Sequence, residues 1–124
     1  MDIKNLLLMA FLVLLDQFTK LIFMFNSAQN TGIAFGLLKG YNNLLISIII
    51  VIILILGYFY WKNTKLRLAF SFIIAGAVSN LIDRVLNGYI IDFIKIFFWP
   101  AFNLADIFIA IGAVLLVYML QKKY

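Results

Sequence analysis

LLISIIIVIILILGYFYW, residues 44–61, runs without a single charged side chain. An α-helix needs about 20 predominantly apolar residues to cross the hydrocarbon core of a bilayer. Three further stretches of this kind lie around it, at residues 6–25, 68–86 and 102–120. Together they take up most of the 124 residues, and hydrophobic side chains make up 66% of the chain. Soluble domains carry roughly 45–50% apolar residues. The sequence therefore predicts an all-α membrane protein, a single integral domain over residues 1–124 with four transmembrane helices. The first stretch contains Asp16, Gln17, Thr19 and Lys20. A cleavable signal segment would be apolar there and then rich in small residues, so residues 6–25 read as a retained span.

The net charge of +5 comes with no basic run or nucleic-acid motif, so no nucleic-acid partner is expected. Its distribution is more telling. Lys4, the group Lys62, Lys65 and Arg67, and the pair Lys122 and Lys123 mark the N-terminus, the second loop and the C-terminus. Only Lys39 and Lys95 fall clearly in the first and third loops. By the positive-inside rule, both termini and the second loop are cytoplasmic, and the first and third loops face outward.

The residue inventory narrows the chemistry. There is no cysteine, which excludes a disulfide and a thiol nucleophile, and no histidine, which excludes histidine triads and histidine zinc motifs. No metal or cofactor is expected. All five acidic residues are aspartates, at positions 2, 16, 83, 92 and 106. Acid–base catalysis here would have to use aspartate.

Two of these, Asp92 in GYIIDF (residues 88–93) and Asp106 in WPAFNLAD (residues 99–106), flank the only proline, Pro100. Carboxylates at or in a membrane are costly and usually functional. Neighbouring carboxylates cannot comfortably both ionise, so one keeps a proton. The ionised member can take a proton from a water attacking a peptide carbonyl, while the protonated one donates to the carbonyl oxygen. The plainer reading of Asp106 is a helix start, with Asn103 as N-cap and Asp106 in the first turn. It leaves Asp92 unexplained.

The connecting segments are short. Asn30-Thr31-Gly32-Ile33-Ala34-Phe35-Gly36 in the first loop is turn-rich. Residues 87–101 are too short to span and too apolar for a free loop, so they are placed in the interface. A small sheet between this segment and the first loop would satisfy its backbone. Among the remaining polar residues, Asp16 and Lys20 are four apart and share a helix face. They read as a structural ion pair, with Thr19 as a minor helper. Gly76, Asn80, Asp83 and Arg84 recur at helical spacing; Asp83 with Arg84 reads as a second scaffold pair, and Asn80 as either a substrate contact or an interhelical hydrogen bond.

Taken in order, Asp16-Gln17-x-Thr19-Lys20, Asn30-x-Gly32-x-Ala34-Phe35, Asn80-x-x-Asp83-Arg84, Asp92-Phe93 and Phe102-Asn103-x-Ala105-Asp106 resemble the bacterial lipoprotein signal peptidase (signal peptidase II) family over essentially the whole chain. The resemblance implies an aspartic endopeptidase of the bacterial cytoplasmic (inner) membrane. It would cleave diacylglyceryl-modified prolipoproteins just before the lipidated cysteine, with its active site on the outward side. It further implies that Asp92 and Asp106 are catalytic, that Asn30, Gly32, Asn80, Arg84 and Asn103 bind substrate, and that Asp16, Lys20 and Asp83 support the site. Function as a monomer among membrane lipids, and sensitivity to globomycin, are expected with it. Ser79 stands where the family usually has glycine, and the first outer loop is short. A small four-span proton-coupled transporter, with Asp16 as carrier, is the alternative from another class.

Overall fold

A computed structural model describes residues 2–33 and 37–122. Four long helices carry the chain: α1 (Ile3–Phe23), α2 (Asn42–Lys62), α3 (Arg67–Asn87) and α4 (Leu104–Lys122). Each is long and apolar enough to cross a membrane. Among the described residues there are also two short strands, β1 (Ala28–Asn30) and β2 (Ile90–Asp92).

The helix ends follow local chemistry. Asp2 caps α1 by accepting from the Asn5 backbone N–H at 3.4 Å, and from the Asn5 side chain at 2.5 Å. The tight basic turn after α2 is clipped by Arg67. Its Nε donates to the Tyr60 carbonyl at 3.0 Å, and its guanidinium stacks over the Tyr60 and Trp61 rings. Gly88 ends α3 in the left-handed region, with φ +80° and its N–H on the Arg84 carbonyl. A side chain there would be strained, which suits glycine. The helix expected from residue 102 begins instead at Leu104, because Asn103 is the cap and Phe102 is held in an antiparallel bridge with Ile94.

Helix α3 packs against the other three helices, and α1 also touches α4. Lipid offers no solvent-driven reason for helices to associate, so close approach of small residues matters. Gly76 and Gly112 supply it between α3 and α4. A Cβ at Gly76 would collide with the Ala105 carbonyl, and one at Gly112 would lie 2.7 Å from the Ala69 carbonyl. Leu12, Ala75 and Phe108 form the buried core where α1, α3 and α4 meet.

The expected small sheet is present. β1 and β2 are antiparallel, with Ala28 opposite Asp92, Gln29 opposite Ile91 and Asn30 opposite Ile90. This register ties the first loop to the segment carrying Asp92. Beyond β2, residues 96–99 turn tightly, with the Trp99 N–H on the Ile96 carbonyl at 3.0 Å and Phe97 and Phe98 pointing outward. Ala34 and Phe35 of the first-loop motif lie outside the described residues, as does Lys123.

Candidate active site

The polar residues gather at the C-terminal end of α3, opposite the basic turn that starts it. Asp92 comes from β2, Asp106 from the first turn of α4, and Asn30 and Gly32 from β1 and the bend after it. All four line one cavity of about 670 Å³ together with Asn80 and Arg84. Its remaining wall is largely apolar, including Ile49, Ile52 and Leu56 of α2, Ile73 and Ala77 of α3, and Ile109 of α4.

Asn103 joins the two aspartates. Its Nδ2 donates to Asp92 Oδ1 at 2.9 Å, and its backbone N–H donates to Asp106 Oδ2 at 3.1 Å. Its Oδ1 accepts from the Asp106 N–H at 3.0 Å. That reciprocal exchange is a capping box with aspartate in the usual glutamate place. The plain reading of Asp106 as a helix-start residue is thus correct, and the same geometry turns its carboxylate toward the cavity. Asp106 Oδ1 accepts from Asn80 Nδ2 at 3.1 Å.

Asp92 is 2% exposed. Burial, followed by the Asp106 carboxylate, pushes its pKa up to about 7, against opposing effects of Asn30, Lys20 and Asn103. Taking a carboxylate out of water disfavours its charged form, and a like charge adds to that. Asp92 therefore can hold a proton near neutrality.

Behind the cavity sits a buried charge cluster. Lys20 Nζ lies 2.6 Å from Asp16 Oδ2 and 3.0 Å from Asp83 Oδ2, with all three side chains almost wholly buried. The Asp16–Lys20 pair expected from the spacing is present. Asp16 does more than pair: its Oδ1 accepts from the Ala105 N–H at 2.8 Å, tying α1 to the start of α4.

Asp83 and Arg84 do not form the scaffold pair suggested by adjacency. Neighbouring side chains on a helix point in different directions. Asp83 turns to Lys20, to Gln17 Nε2 at 3.0 Å and to the Ile91 N–H at 3.0 Å, so it anchors β2. Arg84 instead donates to the Gly32 carbonyl and to Asn42 Oδ1 at 3.4 Å. Gly32 also donates to Asn30 Oδ1 at 3.0 Å, and a Cβ there would lie 2.9 Å from the Lys39 nitrogen. Thr19 takes no part in the ion pair; its hydroxyl donates to the Leu15 and Asp16 carbonyls of its own helix.

Asn80 forms the interhelical bonds considered for it and also lines the cavity. Three participants lay outside the sequence-based set of site residues. Gln17 donates to the Ser79 carbonyl at 3.0 Å and to Ser79 Oγ at 2.9 Å, while the Ser79 hydroxyl donates to Asp16 Oδ2 at 2.5 Å. Asn42, at the start of α2, donates to the Arg84 carbonyl at 3.2 Å. Gln17 stands in the first motif block and Ser79 where the family usually has glycine, but the sequence gives neither a role; Asn42 carries no signal in the sequence.

A family model described as Signal peptidase (SPase) II matches residues 8–122. The lipoprotein signal peptidase of Caldanaerobacter subterraneus subsp. tengcongensis is 37% identical over 139 residues, covering 95% of this chain and 96% of that one. That of Caldicellulosiruptor bescii is 43% identical over 97 residues, covering 77% of this chain and 65% of its own length. A solved bacterial membrane enzyme superimposes with a TM-score of 0.90 at 33% identity, over 98% of this chain and 90% of that one. None of these matches supports the transporter alternative.

Proposed function

The chain belongs to the signal peptidase II family, and from that premise we propose that Asp92 and Asp106 are its catalytic pair. The protein is a multi-pass membrane aspartic peptidase that removes signal peptides from prolipoproteins. One observation supports the pair above all: two carboxylates from separate elements face one cavity and are bridged by the single residue Asn103, its side chain on Asp92 and its backbone N–H on Asp106.

The division of labour follows from their surroundings. Asp92 sits in a strand of apolar neighbours, Ile90 and Ile91, and its raised pKa lets it keep the shared proton. Asp106 receives two hydrogen bonds and stands at a helix N-terminus, where negative charge is favoured. Asp106 acts as the base that takes a proton from water. Asp92 donates its proton to the carbonyl oxygen as the tetrahedral intermediate forms. The proton on Asp106 then passes to the leaving amine as the C–N bond breaks, one diol O–H returns its proton to Asp92, and no covalent enzyme intermediate arises.

Asn30, Gly32, Asn80, Arg84 and Asn103 bind the substrate backbone, and Asp16, Lys20 and Asp83 support them. The apolar wall from Ile49 to Leu56 suits a diacylglyceryl-modified precursor held partly in lipid, cut just before its modified cysteine. With the basic α2–α3 turn in the cytoplasm, the site lies on the outward side of the bacterial cytoplasmic membrane. Every polar group invoked comes from one chain, which acts as a single-domain monomer. The test is incubation of the purified protein with diacylglyceryl-modified and unmodified forms of one prolipoprotein. Cleavage of the modified form immediately before its cysteine is expected. A folded protein that cut neither form, or cut elsewhere, would overturn the reading.

A further inference from the structure

Lys20 has three N–H donors and no acceptor, and all three are engaged. Two meet the carboxylates of Asp16 and Asp83 at 2.6 and 3.0 Å. The third goes to a neutral group, Asn80 Oδ1, at 3.0 Å. Buried away from water, the ammonium needs a third acceptor, and Asn80 is the group that supplies it.

The two ends of an amide are opposite in character, so its orientation decides what each neighbour meets. With Oδ1 facing Lys20, Asn80 Nδ2 faces Asp106 Oδ1 at 3.1 Å and donates to it. Turned over, the amide would aim N–H at an ammonium and oxygen at a carboxylate. Both contacts would then repel. Asn103 Nδ2, which donates to Asn80 Oδ1 at 3.0 Å, favours the same orientation.

We propose that Lys20 is a positioning residue for catalysis: it fixes the Asn80 amide so that a donor always faces Asp106. This rests on the reading of Asp92 and Asp106 as the catalytic pair. Lys20 touches neither the reacting water nor the substrate; it acts through Asn80. Its charge also reaches Asp92, where it favours the ionised form. The charged groups that act on Asp92 are Lys20 from α1, Arg84 from α3 and Asp106 from α4. Removing Lys20 should therefore move the loss of Asp92's proton to higher pH.

The experiment compares Lys20→Met, Asn80→Ala and the double variant, with kcat and KM expressed per folded molecule across pH. Losing one oriented hydrogen bond to a charged group corresponds to about a 10–100-fold fall in rate. Each single variant should lose that much in kcat; Lys20→Met should change KM less, whereas Asn80→Ala, which also removes a cavity-lining contact, should raise KM as well. The double variant should be no more than about twofold worse than the poorer single, since both act on one bond chain. The alkaline limb of the Lys20→Met profile should shift upward. Unchanged kcat and pH profile in folded Lys20→Met, or losses that multiply in the double variant, would overturn the proposal. If Lys20→Met does not fold, Asn80→Ala decides, since it leaves Lys20 paired with both aspartates; wild-type kcat there overturns the proposal. Asp92→Asn and Asp106→Asn run alongside. Activity in either would bring down the catalytic pair itself, an outcome distinct from failure of Lys20 alone.

Discussion

Replacing Gly76 by alanine tests how tightly the α3–α4 contact sets the geometry of the proposed catalytic pair. The new Cβ would overlap the Ala105 carbonyl and lie 2.6 Å from Ile109 Cγ1. Ile109 can rotate away, but the carbonyl belongs to the first turn of α4, where the Ala105 N–H is held by Asp16 at 2.8 Å. Ordinary carbon contacts are about 3.5–4.0 Å, so that turn must retreat by about 1 Å. Asp106 is the next residue. Its bond to Asn80 on α3, now 3.1 Å, would stretch to about 4 Å and cease to be a hydrogen bond. Misplacing a catalytic group by about 1 Å can cost about 100-fold in rate, and overpacking costs about 1–3 kcal/mol of stability. The assay is precursor cleavage, with kcat normalised to the folded fraction from thermal unfolding. Gly112→Ala is the control, because it crowds the same helix pair farther along, against Ile73 and Ala69. We expect Gly76→Ala to lose about 10–100-fold in kcat and Gly112→Ala to lose stability with little change in kcat. Wild-type kcat in Gly76→Ala, or equal losses in both variants, would refute the reasoning.

Asp92 is protonated below about pH 7 and ionised above it, so with Asp92 as proton donor kcat should fall as pH rises through that value. A pH–rate profile flat from 6 to about 8.5 would contradict this role. Asp16→Asn leaves Lys20 with one carboxylate fewer in a buried cluster, and breaking such a pair costs about 3–5 kcal/mol. The yield and melting temperature of that variant should drop more than the kcat of its folded fraction, as measured by unfolding and cleavage on the same preparation.

The helices were plain in the sequence because long apolar runs such as residues 44–61 have few alternatives. The convergence of the two aspartates was also legible, since charge is scarce in this chain and Asp92 lies within, and Asp106 just beyond, the one short apolar segment that cannot span. The sheet between the first and third loops could be expected because unpaired backbone is costly near lipid, but its register of Ala28 with Asp92 depends on tertiary contacts. Partner choice was harder to read. Asp83 is adjacent to Arg84 in the chain yet turns to Lys20 on α1, and Gln17 and Ser79 meet only once α1 and α3 pack. Periodicity gives the face of one helix; it does not say which residue of another helix will stand opposite.

Precursor cleavage by Asp92→Asn and Asp106→Asn, each checked for folding and membrane insertion, tests the central claim most directly. Each substitution keeps the shape of the side chain and removes its acid–base function. The account predicts that the wild-type protein cuts the diacylglyceryl-modified prolipoprotein while both variants, folded and inserted, leave it uncut. Robust cleavage by either folded variant would contradict it.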